Sequence, residues 1–404
     1  MRRWGLRIGL LVLLAVGALL LFAPGIVERQ HNVIDGQPLP EVSAEAQALH
    51  DTLTVVDLHG DTLLWQRDML DAADRGHIDL PRLQAGNVAL QVFSSVTKTP
   101  RDMNYDHNSD ETDNITLLVM VQAQPVRTWT SLLQRTLYHG EKLEQAAEDS
   151  GNGLWLVRDT TELAELEEAI ACGTCTPIGR SRYATPAAGK PVGAMLSVEG
   201  LHDLEGDIDN LDVLYDAGVR MAGITHFFDN ELAGSAHGIE KGGLTNMGRE
   251  AVQRMERMGM IIDIAHCSHQ CVAEVLAMAR RPVVSSHGGV QTTCPGVRNL
   301  TDDELRGVAA TGGVIGIGYW PDAACGTAPA DIVRAMRHVR DLVGVDYVAL
   351  GSDFDGSVTT RFDTSQLVQI TNALLEDGWS EDEIRAVMGL NALRVLRAGL
   401  EPMA

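Results

Sequence analysis

Basic residues are scarce in this chain of 404 residues. It has 32 lysines and arginines against 55 aspartates and glutamates, which gives a formal net charge of −23 at neutral pH. Nucleic-acid binding needs a basic surface that neutralises phosphates. We therefore exclude DNA and RNA as partners and interpret the acidic excess as a solvated surface.

The chain also lacks internal repeats, low-complexity tracts and a glycine-rich phosphate turn after its first predicted strand, residues 54–58. The missing repeats exclude a helical solenoid. The missing turn argues against a doubly wound open sheet that binds nucleotides. A hydrophobic content of 45% and a charged content of 22% are typical of a globular protein, and the length suffices for one large α/β barrel or two ordinary domains.

The longest apolar run lies at the amino terminus, where Arg2, Arg3 and Arg7 precede residues 8–27. About 20 apolar residues can span a bilayer, and the basic residues before them should stay in the cytoplasm. A cleaved signal sequence, which would release a secreted protein, is the alternative. We predict an anchored protein with its barrel on the periplasmic or extracellular side, divided into a cytoplasmic segment 1–7, a transmembrane anchor 8–27, a linker 28–45 and a barrel domain 46–404.

From residue 54 onwards, strand-like apolar runs alternate with helical segments. This alternation predicts a parallel sheet, and eight βα units over about 340 residues fit a (β/α)8 barrel. Residues 154–157 form an extra short strand, and 117–148 and 380–398 are each predicted as one helix. The eight barrel strands are predicted at 54–58, 87–96, 192–198, 219–225, 260–265, 282–286, 313–317 and 347–351.

Side chains able to bind metal follow most of these strands. A single histidine after a strand usually makes only loop hydrogen bonds, but so many at matching positions are hard to assign to chance. Because barrel enzymes place their sites at the carboxyl ends of the strands, we expect all of these residues at one mouth. The set exceeds the needs of one tetrahedral zinc ion and predicts two metal ions that share a carboxylate. Its members are His59, Asp61, Glu199, His226, His266, His287 and Asp353.

The chain resembles the membrane dipeptidase (renal dipeptidase) family of zinc peptidases over about residues 54–398. The resemblance rests on long motifs in the same order, including DLHGDTLLW, RGHIDLPRLQAGNVALQVF, LSVEG, NMGREAVQRMERMGMIIDIAHCS, PVVSSHGG, RNLTDDELRGVAATGGVIGIGY, LVGVDYVALGSDFDG and GLNALRVL. It implies a (β/α)8 TIM-like barrel of the metal-dependent hydrolase type that carries two Zn²⁺ ions.

The resemblance also implies a role for each residue of the site. His59 and Asp61 would bind one zinc ion, His266 and His287 the other, and Glu199 would bridge them. Asp353 would move a proton, His226 would polarise the substrate carbonyl, and Arg298 would bind the C-terminal carboxylate of the substrate.

The resemblance extends to a disulfide between Cys294 and Cys325. For Cys172 and Cys175, in a loop rich in glycine, proline and serine, a local disulfide and two thiols both remain open. The sequence also leaves open whether the protein forms a homodimer.

We therefore expect a metallo-dipeptidase that cleaves dipeptides by attack of a hydroxide held between the metals and that accepts a D-residue at the C-terminal position. One alternative is another dizinc amidohydrolase, acting on cyclic amides, lactones or phosphotriesters. Such barrels usually bridge their metals with a carboxylated lysine, and no lysine ends a strand here. A second alternative is a non-catalytic binding barrel, which should have lost at least one ligand.

Overall fold

The computed structural model describes residues 2–172 and 190–403. Its main sheet is parallel and contains β2 to β10, in the order β3-β2-β10-β9-β8-β7-β6-β5-β4, with β3 also paired to β5. The strands are β1 (Val33–Ile34), β2 (Val55–Asp57), β3 (Val88–Val96), β4 (Leu154–Leu156), β5 (Val192–Glu199), β6 (Val219–Gly223), β7 (Ile261–Asp263), β8 (Val284–Ser285), β9 (Val314–Ile317), β10 (Val348–Leu350) and β11 (Thr359–Thr360).

The β3–β5 pairing closes eight of these strands into a barrel. Residues 90–96 of β3 pair with residues 193–199 of β5, while β6 pairs with β5 from Leu196 onwards. The extra strand β4 pairs only with residues 192–194 of β5. The predicted eight-stranded parallel barrel with one additional strand is therefore confirmed.

Helices follow most of the strands and pack around the barrel. The helices are α1 (Arg2–His31), α2 (Ala44–His50), α3 (Leu80–Ala85), α4 (Ile115–Val121), α5 (Leu132–Asp149), α6 (Thr160–Cys172), α7 (Asn210–Asp216), α8 (Asn246–Met258), α9 (His269–Met278), α10 (Asp302–Ala310), α11 (Pro321–Ala324), α12 (Pro329–Val343), α13 (Val368–Glu376), α14 (Glu381–Arg385) and α15 (Asn391–Leu400).

The last helix, α15, closes the amino end of the barrel. Arg394 donates hydrogen bonds to the carbonyl oxygens of Gly312 and Asp346, which lie just before β9 and β10. The buried side chains of Leu393 and Leu396 pack against strand residues in the barrel core. The site lies at the opposite end of the barrel, where the strands terminate.

Two predictions of single long helices were wrong. The segment 117–148 is interrupted at Pro125, which lacks the N–H that a helix interior requires and adopts an extended conformation. The segment 380–398 contains a π-helical stretch, Ala386–Leu390, between α14 and α15. Gly389 lies in this stretch because a Cβ atom there would be 1.9 Å from the carbonyl oxygen of Thr54.

The amino-terminal segment packs on the barrel through its carboxyl-terminal half. Val27 packs against a buried cluster, Glu28 on α1 is buried, and β1 pairs in parallel with β11. The end of the predicted anchor 8–27 and residues 28–34 of the predicted linker are therefore part of the folded body. Among the residues that the structure describes, no helix combines the length and apolarity that crossing a membrane requires. Cys172 is disulfide-bonded, whereas Cys175 lies outside the described residues.

Candidate metal centre

Six barrel strands deliver side chains to one mouth. β2 ends two residues before His59, β5 ends at Glu199, β6 ends three residues before His226, β7 ends three residues before His266, β8 ends two residues before His287 and β10 ends three residues before Asp353. Since the strands are parallel, their carboxyl ends meet at the same end of the barrel. The structure thus brings together residues separated by more than 220 positions in the sequence.

The Glu199 carboxylate lies at the centre of the histidines. Its Oε1 atom is 2.9 Å from His266 Nε2, 3.2 Å from His287 Nε2 and 3.6 Å from His59 Nε2. Its Oε2 atom is 3.3 Å from His226 Nε2. One carboxylate therefore faces imidazoles from four different strand ends.

Two aspartates complete the cluster on the His59 side. His59 Nε2 lies 3.5 Å from Asp61 Oδ1 and 3.9 Å from Asp353 Oδ1. Metal-competent groups occur in three overlapping sets of three, with ligand atoms within 4.8 Å of one another: His59, His287 and Asp353; Glu199, His226 and His266; His59, Asp61 and Glu199. All seven residues that the sequence predicted are in these sets.

The donor set fits divalent cations. His59 Nε2 and Asp61 Oδ1 are buried without hydrogen-bond partners, and His266 Nε2 and His287 Nε2 face each other at 3.0 Å. Buried polar atoms are normally paired, because an unpaired one forfeits its hydration. A cation bound between these nitrogen and oxygen atoms would satisfy them, and imidazole with carboxylate is a donor set that zinc accepts.

The pKa values of the cluster reflect its burial and its crowding with carboxylates. Burial raises the pKa of Glu199 well above its ordinary value, and the nearby Asp61 raises it further. Burial lowers the pKa of His59, but Asp61 and Glu199 outweigh this effect and bring the pKa to about 10. Burial lowers the pKa of His266 and His287 well below its usual range. The latter two imidazoles are therefore neutral and keep a lone pair for a metal ion.

Two site residues adopt a strained backbone. His266 has φ 65° and Asp353 has φ 60°, in the left-handed region that non-glycine residues avoid. Such conformations concentrate at functional sites, where the surrounding structure holds them in place. A Cβ atom at Gly356 would lie 2.0 Å from Asp353 Oδ1, so a larger residue there would displace the Asp353 carboxylate.

Sequence reasoning missed the groups that support the ligands from behind. Ser286 Oγ donates to Asp263 Oδ2 at 2.5 Å and lies 2.9 Å from His287 Nδ1. Since the hydroxyl hydrogen points to Asp263, Ser286 accepts from the His287 Nδ1–H, which leaves His287 Nε2 free to bind a cation. Asp263 could have been noticed because it is a charged residue at the end of an otherwise apolar buried strand.

Asp57, at the end of β2, also supports the site, through hydrogen bonds to the backbone and to a serine. Its buried carboxylate accepts hydrogen bonds from the backbone N–H of His59 at 3.3 Å and of Ser352 at 2.9 Å, and from Ser352 Oγ. Asp57 thereby attaches the turn that contains His59 to the loop that contains Asp353. It too is an aspartate at the end of an apolar strand.

Arg298 lies beside the second pair of histidines. Its Nη2 donates to the carbonyl oxygen of His287 at 2.7 Å, its side chain is buried, and its Nε has no hydrogen-bond partner among the described residues. The pKa of Arg298 is lowered by burial, although nearby Tyr105 and Asp263 oppose this shift. A buried guanidinium that faces a cavity and has an N–H group without a partner among the described residues is suited to binding a carboxylate.

The loop that carries Arg298 is closed by the disulfide between Cys294 and Cys325, as predicted. The bond links the loop after β8 to the end of α11. Trp320, which precedes α11, donates from Nε1 to the Tyr105 hydroxyl at 3.0 Å beside the same cavity. The disulfide therefore joins two of the loops that surround Arg298.

A parallel eight-stranded barrel with histidines and carboxylates at its open end defines a metallo-hydrolase type of site. A sequence model of the membrane dipeptidase family, peptidase family M19, matches residues 181–401, and the chain belongs to this family.

Two curated relatives are named as dipeptidases. The chain is 32% identical over 260 residues to dipeptidase aclJ of Aspergillus oryzae (strain ATCC 42149 / RIB 40), a match that covers 60% of this chain and 61% of that protein. It is 34% identical over 212 residues to dipeptidase verJ of Clonostachys rogersoniana, covering 51% and 55%. The matches thus span less than two thirds of these relatives.

Solved structures share the fold. The probable dipeptidase PvdM from Pseudomonas aeruginosa superposes with a TM-score of 0.69 at 18% identity, covering 89% of this chain and 98% of that one. A metallo peptidase from Rhodobacter sphaeroides, liganded with a phosphinate mimic of the dipeptide L-Ala-D-Ala, gives a TM-score of 0.64 at 21% identity, covering 86% and 99%.

Proposed function

We propose that this protein is a dizinc dipeptidase that hydrolyses the single peptide bond of dipeptides. The observation that carries the proposal is the position of the buried Arg298 guanidinium, whose Nε has no hydrogen-bond partner among the described residues, beside the histidine and carboxylate cluster in one cavity. A dipeptide carries a free carboxylate one residue beyond its scissile bond. An arginine at this position would recognise that carboxylate and exclude longer peptides.

The proposed roles come from the family resemblance, and the positions of the residues support them. His59 and Asp61 would hold one zinc ion, His266 and His287 would hold the other, and Glu199, which faces both pairs, would bind both ions. When bound, two zinc ions polarise a carbonyl group and lower the pKa of a water molecule. His226 hydrogen-bonds to the substrate carbonyl oxygen, and Asp353 takes the proton from the attacking water and gives it to the leaving amine.

A D-residue at the C-terminal position is part of the proposal. Arg298 fixes the carboxylate rather than the side chain, so the stereochemistry of that residue is not read by the same contact. The ligand of the Rhodobacter sphaeroides structure, a mimic of L-Ala-D-Ala, is of this substrate class. The amidohydrolase alternative predicts cleavage of cyclic amides or lactones that lack the terminal carboxylate.

The deciding experiment compares free and amidated dipeptides with the zinc-loaded protein. Ala-Ala, Ala-D-Ala and their C-terminal amides are incubated with the wild type and with Arg298→Ala. A charge-assisted contact is worth about 1.5–3 kcal/mol, so the variant should lose about ten- to a hundredfold in kcat/KM for the free acids and little for the amides. Equal cleavage of acids and amides by the wild type would favour the amidohydrolase alternative.

We also propose that the barrel is exported and that α1 anchors it in the cytoplasmic membrane. The apolar residues 8–22, which precede the part of α1 that packs on the barrel, support this, as do the exposed side chains of Leu10, Leu11, Leu21 and Phe22. The Cys294–Cys325 disulfide suits an oxidising compartment. The full chain should stay in the membrane fraction after carbonate extraction, and recovery in the soluble fraction would contradict anchoring.

A further inference from the structure

The cavity at the mouth of the barrel is lined by two groups of residues that differ in chemistry. Its volume is about 570 Å³. Pockets of about 300–1,000 Å³ accommodate drug-sized ligands, so a dipeptide of small residues would leave much of this one unfilled. We call the lining residues Arg298, Tyr105 and Trp320 the polar arm, and the lining residues Ala23, Val27, Leu64, Trp65, Val96, Ile115 and Leu118 the apolar arm. Asp61, Glu199, His226, His266 and Asp353 line the same cavity.

The apolar arm is built by a hydrophobic cluster that is separate from the barrel core. Its buried members come from three segments that are distant in the sequence, and Val27 of α1 and Leu118 of α4 pack against them. The cluster consists of Leu64, Trp65, Val96, Ile115 and Val119.

One face of α1 forms a wall of this arm. Ala23, Val27 and His31 all line the cavity, and residues four apart lie on the same face of a helix. Ile26, one position away, is 55% exposed and points elsewhere. The helix is held against the barrel by the buried Glu28, which pairs with Arg67.

The two arms receive opposite ends of a dipeptide. Arg298 contacts the backbone of His287, so a carboxylate bound there lies on the side of the second histidine pair. Asp61, in the other ligand set, leads directly into the turn Thr62–Leu64 and then Trp65. When the scissile bond lies over the metal-competent residues, the N-terminal residue of the substrate therefore extends towards the apolar arm.

We propose that the α1 face of Ala23, Val27 and His31, together with the cluster beneath it, forms a subsite for a large apolar side chain on the N-terminal residue of the substrate. The assignment rests on the proposed dipeptidase activity. It makes the amino-terminal helix a determinant of substrate specificity.

The test measures kcat/KM of the zinc-loaded full chain for two series of dipeptides. In Gly-Ala, Leu-Ala and Phe-Ala the N-terminal residue varies, and in Ala-Gly, Ala-Leu and Ala-Phe the C-terminal one varies. Val27→Ser removes apolar contact from the arm. A buried methyl or methylene group contributes about 0.8 kcal/mol, a factor of about four, so loss of one to two such contacts should lower the Phe-Ala to Gly-Ala ratio about four- to fifteenfold. The Ala-Phe to Ala-Gly ratio should stay within about twofold.

Ile26→Ser is the matched control, because it makes a similar change on the same helix outside the cavity, and both ratios should stay at the wild-type values. Leu118→Ser tests the opposite wall should Val27→Ser fold poorly, and the same fall in the Phe-Ala to Gly-Ala ratio is expected. Unchanged ratios in both cavity variants, or a change confined to the Ala-X series, would overturn the subsite. If the wild type cleaves no dipeptide of either series, the proposed function fails instead.

Discussion

Glu28 at the end of the amino-terminal helix and Arg67 beside the metal-site loop form a buried ion pair, with 1% and 2% of their side chains exposed. Arg67 also pairs with Asp355, two residues after Asp353, and donates to the carbonyl oxygen of Ile78. The amino-terminal helix and the loop that carries Asp353 are therefore joined through one guanidinium.

We predict that Glu28→Ala destabilises the protein strongly. Removing one partner of a buried pair leaves the other charge uncompensated, which costs about 3–5 kcal/mol. The free energy of unfolding from urea titration of the zinc-loaded protein measures the effect. The matched control is Asp74→Ala, because the Arg29–Asp74 pair links the same two regions but is exposed and should contribute less than about 1 kcal/mol. Similar losses in both variants would show that burial does not distinguish the two pairs.

Glu199→Gln should lose metal and activity together. Its carboxylate faces histidines of both proposed zinc sites, so removing its charge weakens both. Zinc per chain, measured by elemental analysis after gel filtration, should fall below that of the wild type, and dipeptide hydrolysis should disappear. Two retained zinc ions with normal turnover would exclude the bridging role.

Asp353→Asn should keep its zinc ions but reduce kcat by about a hundredfold or more, because the amide cannot accept the proton from the attacking water. Burial raises the pKa of Asp353, whereas bound dications would favour its charged form. Elemental analysis and steady-state kinetics distinguish the possible roles. Since Asp353 shares a set of potential ligand atoms with His59 and His287, loss of zinc in the variant would make it a ligand.

Stability should depend on pH through Asp203. Burial raises the pKa of Asp203 to about 7, whereas in the unfolded chain it is about 3.9. Between these values the folded state binds more protons than the unfolded state, so the contribution of Asp203 to stability falls as pH rises. The loss is about 1.4 kcal/mol for each pH unit across that window.

Asp203→Asn removes this titration. Because Thr136 Oγ1 donates to Asp203 Oδ2, an asparagine oxygen can accept the same hydrogen bond. Compared with the wild type, the variant should gain relative stability from pH 5 to pH 7 in urea titrations of the zinc-loaded protein. Parallel curves for the two proteins would show that Asp203 keeps an ordinary pKa in the fold.

The sequence alone predicted the barrel and the residues at its mouth. The alternation of strands and helices is a local pattern, and the parallel topology that it implies brings His59, Glu199 and His287 to one end of the sheet. Long motifs shared with the membrane dipeptidases added the proposed roles, including that of Arg298. Neither source needed knowledge of contacts between distant segments.

Only the tertiary structure decided what surrounds those residues. The pairing of Ser286 with Asp263 selects the tautomer of His287, and the packing of Val27 against a cluster formed by Trp65 and Ile115 places the amino-terminal helix in the wall of the cavity. These contacts join segments far apart in the chain, and a local pattern of apolar and polar residues does not specify which distant surfaces will meet. Val27 belongs to an apolar run whatever it packs against, and only the folded barrel makes it part of the site.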